Sequence, residues 1–202
     1  MEHPEMDMYA YERFLADGKT PFCGVDEAGR GPLAGSVCAA AVLLPEGLMI
    51  PGLNDSKKLT AKKRDALYDI ICESAVAFGI AFATVEEIEA LNIKGATYLA
   101  MNRAIADMEP APVLALVDGN DKNELDIPAI KVVKGDSLCA SIAAASVLAK
   151  VTRDRYMDDM DALYPQYGFA KHKGYGTAAH YAALREYGPS PIHRPTYLRK
   201  MH

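Results

Sequence analysis

Phe22-Cys23-Gly24-Val25-Asp26-Glu27-Ala28-Gly29-Arg30-Gly31-Pro32-Leu33-Ala34-Gly35 is the stretch that decides how this chain folds and where its chemistry lies. The apolar run from Phe22 reads as a buried strand closing on Asp26, and two adjacent acids then stand beside a glycine-flanked arginine. Successive side chains of a regular strand point to opposite faces. Asp26 and Glu27 are therefore expected to meet at one point only where the strand ends and the backbone bends. Gly29 and Gly31 are expected to supply that bend and to let bare backbone approach a ligand such as a sugar-phosphate. Paired acids in this setting point to a metal-dependent phosphodiester site.

Working outward, an amphipathic segment over 5–16 precedes that strand, and a second strand runs from Ser36 to Leu44 before Pro45-Glu46-Gly47. Asn54-Asp55-Ser56-Lys57-Lys58-Leu59 leads into a helix from Thr60 with Leu67, Ile70, Ile71 and Ala75 at helical spacing. A strand over 76–83 is followed by Thr84-Val85-Glu86-Glu87, a capping box that predicts a helix start. A further helix over Gly95 to Met108 ends before Pro110-Ala111-Pro112. Val113 to Val117 then reads as an apolar strand running into Asp118-Gly119. A short strand, Ala129 to Val133, leads to Lys134-Gly135-Asp136.

Residues 137–164 are helical in pattern, and the first half, from Leu138 to Ala149, is apolar or small all round, as expected of a helix buried against a sheet. A Gly/Lys/His loop over 168–176, a helix from Thr177 to Tyr187 and a tail broken by Pro189, Pro191 and Pro195 complete the chain. Strands interleaved with helices, opened by a hairpin, predict an α/β domain with a mixed central sheet flanked by helices. One domain over 1–202 is expected: a core over 20–163 and a small C-terminal helical extension over 164–202 that contributes to substrate binding.

The 202 residues are half apolar, enough for one substantial core. The first twenty residues carry Glu2, Glu5, Asp7, Glu12 and Asp17, unlike a secretion signal, and no apolar run is long enough to cross a bilayer. A soluble, cytoplasmic protein is expected. Cys23, Cys38, Cys72 and Cys139 are widely spaced within apolar runs and read as reduced thiols. His3, His172, His180, His193 and His202 form neither H-E-x-x-H nor a Cys/His cluster, which argues against zinc. The net charge of −5 is polarised: residues 1–128 carry −10 and residues 129–202 carry +5, so a basic C-terminal third is expected to face phosphates.

Asp26 and Asp118 each end an apolar strand before a glycine-containing turn, where open α/β sheets place their ligands. Asp136 falls at a predicted helix N-terminus, whose dipole favours an ionised carboxylate. A single aspartate in such a place is ordinarily a turn former or cap, but Glu27 has no evident cap role. Four acids gathered at one rim repel one another unless cations neutralise them. Oxygen-only donors select hard ions such as Mg²⁺ or Mn²⁺. On these residues alone, a phosphatase acting on a small metabolite and a non-catalytic RNA·DNA-binding module stand as alternatives to a nuclease.

Taken together, the stretch from Asp26 to Gly35, Asp55-Ser56-Lys57-Lys58-Leu59, Val117-Asp118-Gly119, Lys134-Gly135-Asp136 and His172-Lys173-Gly174-Tyr175-Gly176-Thr177 resemble ribonuclease HII, in the family's order and from about Phe22 to Arg194. The resemblance implies a ribonuclease H-like fold and Mg²⁺ or Mn²⁺ dependence. It also implies endonucleolytic cutting of RNA in RNA·DNA hybrids and at single ribonucleotides embedded in duplex DNA. It places the four acidic metal ligands on Asp26, Glu27, Asp118 and Asp136, the junction-reading loop on Gly29, Arg30 and Gly31, and a sugar-stacking tyrosine on Tyr175. The tail departs from the family's usual serine and phenylalanine with His193-Arg194-Pro195-Thr196-Tyr197, which leaves the role of the last ten residues open.

The expected chemistry is in-line hydrolysis with two hard cations about 4 Å apart on the scissile phosphate. Asp26 is expected to bridge them, and the products to be a 3′-hydroxyl and a 5′-phosphate. Backbone groups of Gly29 to Gly31 are expected to read the 2′-hydroxyl, the group that separates RNA from DNA. Lys57, Lys58, Arg153, Arg155, Lys171 and Lys173 are candidates for phosphate contacts, whereas Lys62, Lys63 and Arg64 look like a solvated helix face. The protein is expected to work as a monomer on these nucleic acids and away from membranes.

Overall fold

The computed structural model describes residues 6–122 and 125–199. The start of the amphipathic segment at residue 5, the histidines His3 and His202, and the last three positions of the tail lie outside them. Five strands form one mixed sheet: β1 (Phe22–Ala28), β2 (Val37–Leu43), β3 (Ala77–Ala83), β4 (Leu114–Asp118) and β5 (Ala129–Val132), in the order β3-β2-β1-β4-β5. The hairpin β1-β2 and the pair β2-β3 are antiparallel, while β1-β4 and β4-β5 are parallel. The mixed sheet expected from the opening hairpin is present.

Around the sheet lie α1 (Met8–Ala16), α2 (Ala61–Ser74), α3 (Val85–Ala106), α4 (Gly135–Leu138), α5 (Ala140–Leu163), α6 (Phe169–His172), α7 (Ala178–Tyr187) and α8 (Pro195–Leu198). The predicted capping box opens α3: Thr84 Oγ1 accepts from the Glu87 N–H while the Glu87 carboxylate accepts from the Thr84 N–H at 2.9 Å. The two helices expected over 84–108 are the two limbs of α3. They meet at Asn92, whose positive φ breaks the helix and whose side chain caps the second limb through Lys94 N and Gly95 N. The helix expected from 137 starts instead at Ala140, because Cys139 is extended and separates α4 from α5. Leu67 and Ile71 of α2 are buried as expected, but Ile70 is exposed.

Both faces of the sheet are covered, which is why β2 is buried along its whole length. One face packs Val25, Val37, Ala39 and Val117 against Ile88, Met101 and Ala104 of α3. The other packs Ala40 and Val42 against α5, whose small residues Ala140, Ala143 and Ala144 let it lie close. The approach is so close at Gly24 that a β-carbon there would overlap the backbone of Ser141 and Ile142. Glu12, one of the acids in the opening segment, is buried and accepts from Ser141 N and Oγ, both at 2.7 Å, so α1 caps the start of α5. Burial raises the Glu12 carboxyl above its ordinary value, and the two Ser141 bonds oppose that rise.

Candidate active site

β1 does not end at Asp26. It runs through Glu27 to Ala28, with Asp26 opposite Ala40 and Glu27 opposite Ala39 in regular register. The expected bend between the two acids is absent, so strand alternation sends them to opposite faces. Asp26 lies on the α5 side, within hydrogen-bonding range of Ser146, whose hydroxyl also shares a 2.7 Å bond with Ser56 Oγ. Glu27 turns to the α3 side, where Arg30 Nη1 reaches its Oε1 at 3.3 Å.

What gathers the acids is the sheet rather than a bend. Val25 of β1 is level with Val117 of β4, so Asp26 and Asp118 follow on neighbouring strands and share a face. The chain leaves β5 through Lys134 in a left-handed conformation and enters α4, where the Gly135 N–H donates to Asp118 Oδ1 at 2.7 Å. That turn presents Asp136. One carboxylate oxygen from each of Asp26, Asp118 and Asp136 lies within 4.8 Å of the others, and Asp26 and Asp136 are buried. Glu27 stands outside this trio.

Burial lifts the Asp26 carboxyl well above the usual carboxylate range, and the charges of Glu27 and Asp118 lift it further. Glu27 is raised by burial, against the opposing pull of Arg30, and Asp136 by burial and then by Asp118 and Asp55. Lys57 Nζ, 3.5 Å from Asp136 Oδ2, is the cation paired with that acid among the described residues. Three crowded carboxylates offset by one exposed lysine are chemically suited to divalent cations with oxygen donors.

The Gly29-Arg30-Gly31 loop rests on two buried arginines. Arg194, fully buried, donates to the carbonyls of Gly29 at 2.7 Å, Arg30 at 3.0 Å, Pro32 at 2.9 Å and Gly35 at 2.6 Å. The Tyr197 hydroxyl adds a bond to the Arg30 carbonyl at 2.8 Å. Arg153, expected to contact phosphate, is instead buried. It donates to the carbonyls of Ser36, Ala34 and Lys173. A methyl group at Gly29, where φ is +98°, would overlap the Arg153 side chain, so glycine is required there by packing as well as by conformation.

Leu33 N–H donates to the Gly174 carbonyl at 2.8 Å, stitching the Gly-Arg-Gly loop to the loop that carries Tyr175. Tyr175 is 46% exposed, and its Cε1 is 3.6 Å from where a β-carbon on Gly31 would stand. The structure thus brings two motifs far apart in sequence against each other. The remaining candidate cations are mostly committed. Lys58 reaches Ser137 Oγ at 2.9 Å, Arg155 pairs with Asp65, and Lys173 pairs with Asp158. Arg64, expected on a solvated face, donates to the carbonyls of Ser56 and Leu59 and so holds the Lys57-Lys58 turn.

Sequence reasoning missed Arg194 and Tyr197 as supports of the loop, Ser146 beside Asp26, and Asp121, which joins Arg30 at 2.9 Å and Lys94 at 2.8 Å. Ser146 carried a legible signal, a hydroxyl inside an otherwise apolar buried helix.

The family model described as ribonuclease HII matches residues 23–201. This chain belongs to the ribonuclease HII family. It is 60% identical over 175 residues to ribonuclease HII of Dechloromonas aromatica, covering 87% of this chain and 89% of the relative. It is 59% identical over 179 residues to ribonuclease HII of Delftia acidovorans, covering 89% and 76%.

Among solved structures, ribonuclease H2 from Pyrococcus horikoshii shares the ribonuclease H-like fold with a TM-score of 0.73 at 25% identity, over 89% of this chain and 96% of that one. The fold is also that of the ribonuclease HII in the PCNA:RNase HII complex from Archaeoglobus fulgidus, with a TM-score of 0.73 at 23% identity over 86% and 93%. As a ribonuclease HII, the chain is a metal-dependent phosphodiester hydrolase that acts on the RNA strand of RNA·DNA hybrids. None of its helices, among the described residues, is long and apolar enough to cross a membrane.

Proposed function

We propose that this ribonuclease HII also nicks duplex DNA on the 5′ side of a single embedded ribonucleotide, with Asp26, Glu27, Asp118 and Asp136 serving two Mg²⁺ or Mn²⁺ ions. The observations that carry the reading are the Asp26-Asp118-Asp136 trio, gathered where β1 leads into the Gly29-Arg30-Gly31 loop, and Tyr175 lying against that loop at Gly31. When bound, paired divalent ions activate the attacking water and stabilise the leaving oxygen. Asp26, the most buried of the trio, would hold the ions together with Asp118 and Asp136, and Glu27 would serve from the other side of β1. Hydrolysis breaks the P–O3′ bond, leaving a 3′-hydroxyl on the upstream deoxynucleotide and a 5′-phosphate on the ribonucleotide.

The protein's own groups supply position and selectivity. The Gly29 and Arg30 carbonyls already accept from Arg194 and Tyr197, so we assign recognition of the 2′-hydroxyl to the amide N–H groups of residues 29–31. Tyr175 lays its ring on the deoxyribose that follows the ribonucleotide, and Gly31 leaves room for it. Arg30 is held by Glu27 and Asp121 as a buttress of the acids, while Lys57, and Lys58 on exchanging its bond to Ser137, contact the backbone phosphates. We take the working protein to be a monomer. Its free cysteines are in keeping with a cytoplasmic setting.

The test is a labelled DNA duplex carrying one ribonucleotide, incubated with Mg²⁺, with Mn²⁺ or with EDTA, and sized on a gel. A metal-dependent nick 5′ of the ribonucleotide is expected. An uncut duplex under conditions that degrade a long RNA·DNA hybrid overturns the reading.

A further inference from the structure

Behind Tyr175 lies a buried chain of imidazoles that the catalytic account does not use. His180 Nδ1 is 2.9 Å from the Tyr175 carbonyl oxygen, and His180 Nε2 is 2.9 Å from His193 Nε2. His193 Nδ1 lies 2.9 Å from the Ser190 amide nitrogen, which can only donate. His180 is fully buried and His193 nearly so. His172 stacks on His180 with ring centroids 4.4 Å apart.

These contacts fix where the protons sit. Because Ser190 N–H donates, His193 Nδ1 must accept, which puts the proton of a neutral His193 on Nε2. That Nε2–H then donates to His180 Nε2, which must therefore be bare, and the remaining His180 proton lies on Nδ1 and donates to the Tyr175 carbonyl. The donors run in one direction from Ser190 through His193 and His180 to Tyr175. Burial lowers the proton affinity of both imidazoles, in accord with this neutral arrangement.

We propose that the His180–His193 pair positions Tyr175 and so sets how well the enzyme recognises DNA beyond an embedded ribonucleotide. Pinning the Tyr175 carbonyl, which also accepts from Thr177 N–H at 2.9 Å, fixes the peptide on its C-terminal side and with it the direction in which the exposed ring projects. The neighbour of His193, Arg194, holds the Gly-Arg-Gly loop through its carbonyls, so the dipeptide His193-Arg194 registers both parts of the reading surface. Neither histidine touches substrate in this account. The inference rests on the proposed role of Tyr175 and deepens it.

The test is steady-state cleavage of two substrates, a DNA duplex with one ribonucleotide and a long RNA·DNA hybrid, with melting midpoints measured alongside. His180→Leu is expected to raise KM on the single-ribonucleotide duplex about tenfold, the order expected for one lost hydrogen bond. Its kcat on the long hybrid is expected to stay within about twofold of wild type, well inside that loss. His180→Asn, whose amide nitrogen stands where Nδ1 did, is expected to restore most of the KM. In the Tyr175→Ala background, His180→Leu is expected to add nothing.

Unchanged KM in a folded His180→Leu variant overturns the proposal. So does an equal loss on both substrates, or an additive effect in the double variant. Should His180→Leu not fold, His180→Gln takes its place: its amide reaches toward His193 rather than Tyr175, and the same outcomes apply. A wild-type enzyme that leaves the single-ribonucleotide duplex uncut sinks the proposed function itself. Cleavage by wild type with normal KM in the variant sinks only this inference.

Discussion

Lys57 Nζ stands 3.5 Å from Asp136 Oδ2, with 72% of the lysine side chain exposed and the carboxylate buried. An ion pair so open to solvent adds little to stability, yet it places a cation at the mouth of an acidic site. The neighbouring acids, Asp26 foremost, hold the Lys57 ammonium above its ordinary pKa against the opposing effect of burial. Lys57→Ala is therefore expected to shift unfolding free energy by less than about 0.5 kcal/mol. It is expected to raise KM about tenfold and to lower the salt slope of substrate binding by about one phosphate contact. Urea unfolding, steady-state kinetics and a salt titration check this. A Lys57→Ala enzyme with normal KM and salt slope removes the residue from the phosphate path.

Asp118 raises the carboxyls of Asp26 and Asp136 by its charge, so the site is built at a cost to the metal-free fold. Asp118→Asn keeps an Oδ1 acceptor for the Gly135 N–H and removes that charge. The variant in EDTA is expected to be more stable than wild type by about 1 kcal/mol, while its cleavage falls by on the order of a thousandfold. Mg²⁺ is expected to raise the wild-type melting midpoint and to leave that of the variant unmoved. Thermal melts with and without the ion decide it; wild-type activity in Asp118→Asn would contradict the assignment.

Gly29 and Gly31 look alike in sequence and differ in space. A methyl at position 29 meets the buried Arg153 side chain and takes a left-handed φ, so Gly29→Ala is expected to cost about 2 kcal/mol or more of stability. A methyl at position 31 meets only Tyr175, at 3.6 Å. Gly31→Ala is expected to fold normally and to lose cleavage of embedded ribonucleotides in preference to long hybrids. Equal melting midpoints for the two variants would show that the loop is not held as described.

Burial, with the facing His180 and His172, lowers His193 from 6.5 to about 4. Between those values the unfolded chain takes up a proton that the folded one refuses, so the unfolded state is the more protonated. The stability held above pH 6.5 is expected to drain away as pH falls toward 4, by up to roughly 3 kcal/mol. Urea unfolding from pH 7 to pH 4, together with NMR titration of the His193 ring, tests this. A titration midpoint near 6.5 for that ring would contradict it.

Local patterns told much of this in advance. The Thr84 to Glu87 box, the buried strands, and Asp118 and Asp136 after their strands follow from side-chain chemistry within a few residues. The course of the chain at Glu27 was not legible because the side chain's direction depends on where β1 stops, and the pairing with β2 carries the strand two residues past Asp26. Arg153 and Arg194 were illegible for another reason. Apart from the Lys173 carbonyl on Arg153, their partners are carbonyls of the 29–36 loop, more than a hundred residues away, and a backbone carbonyl leaves no mark in sequence. Part of the positive charge in the C-terminal third thus serves the fold and does not face phosphate.

The central claim is that Asp26, Asp118 and Asp136, with Glu27 beside them, hold the divalent ions that cut the phosphodiester. The most direct measurement is an anomalous difference map from crystals of the protein grown with Mn²⁺ and an uncleaved single-ribonucleotide duplex. The account predicts manganese peaks within about 2.3 Å of oxygens from Asp26, Asp118 and Asp136 and against the phosphate 5′ of the ribonucleotide. Manganese bound elsewhere, or a scissile phosphate remote from these three carboxylates, would contradict it.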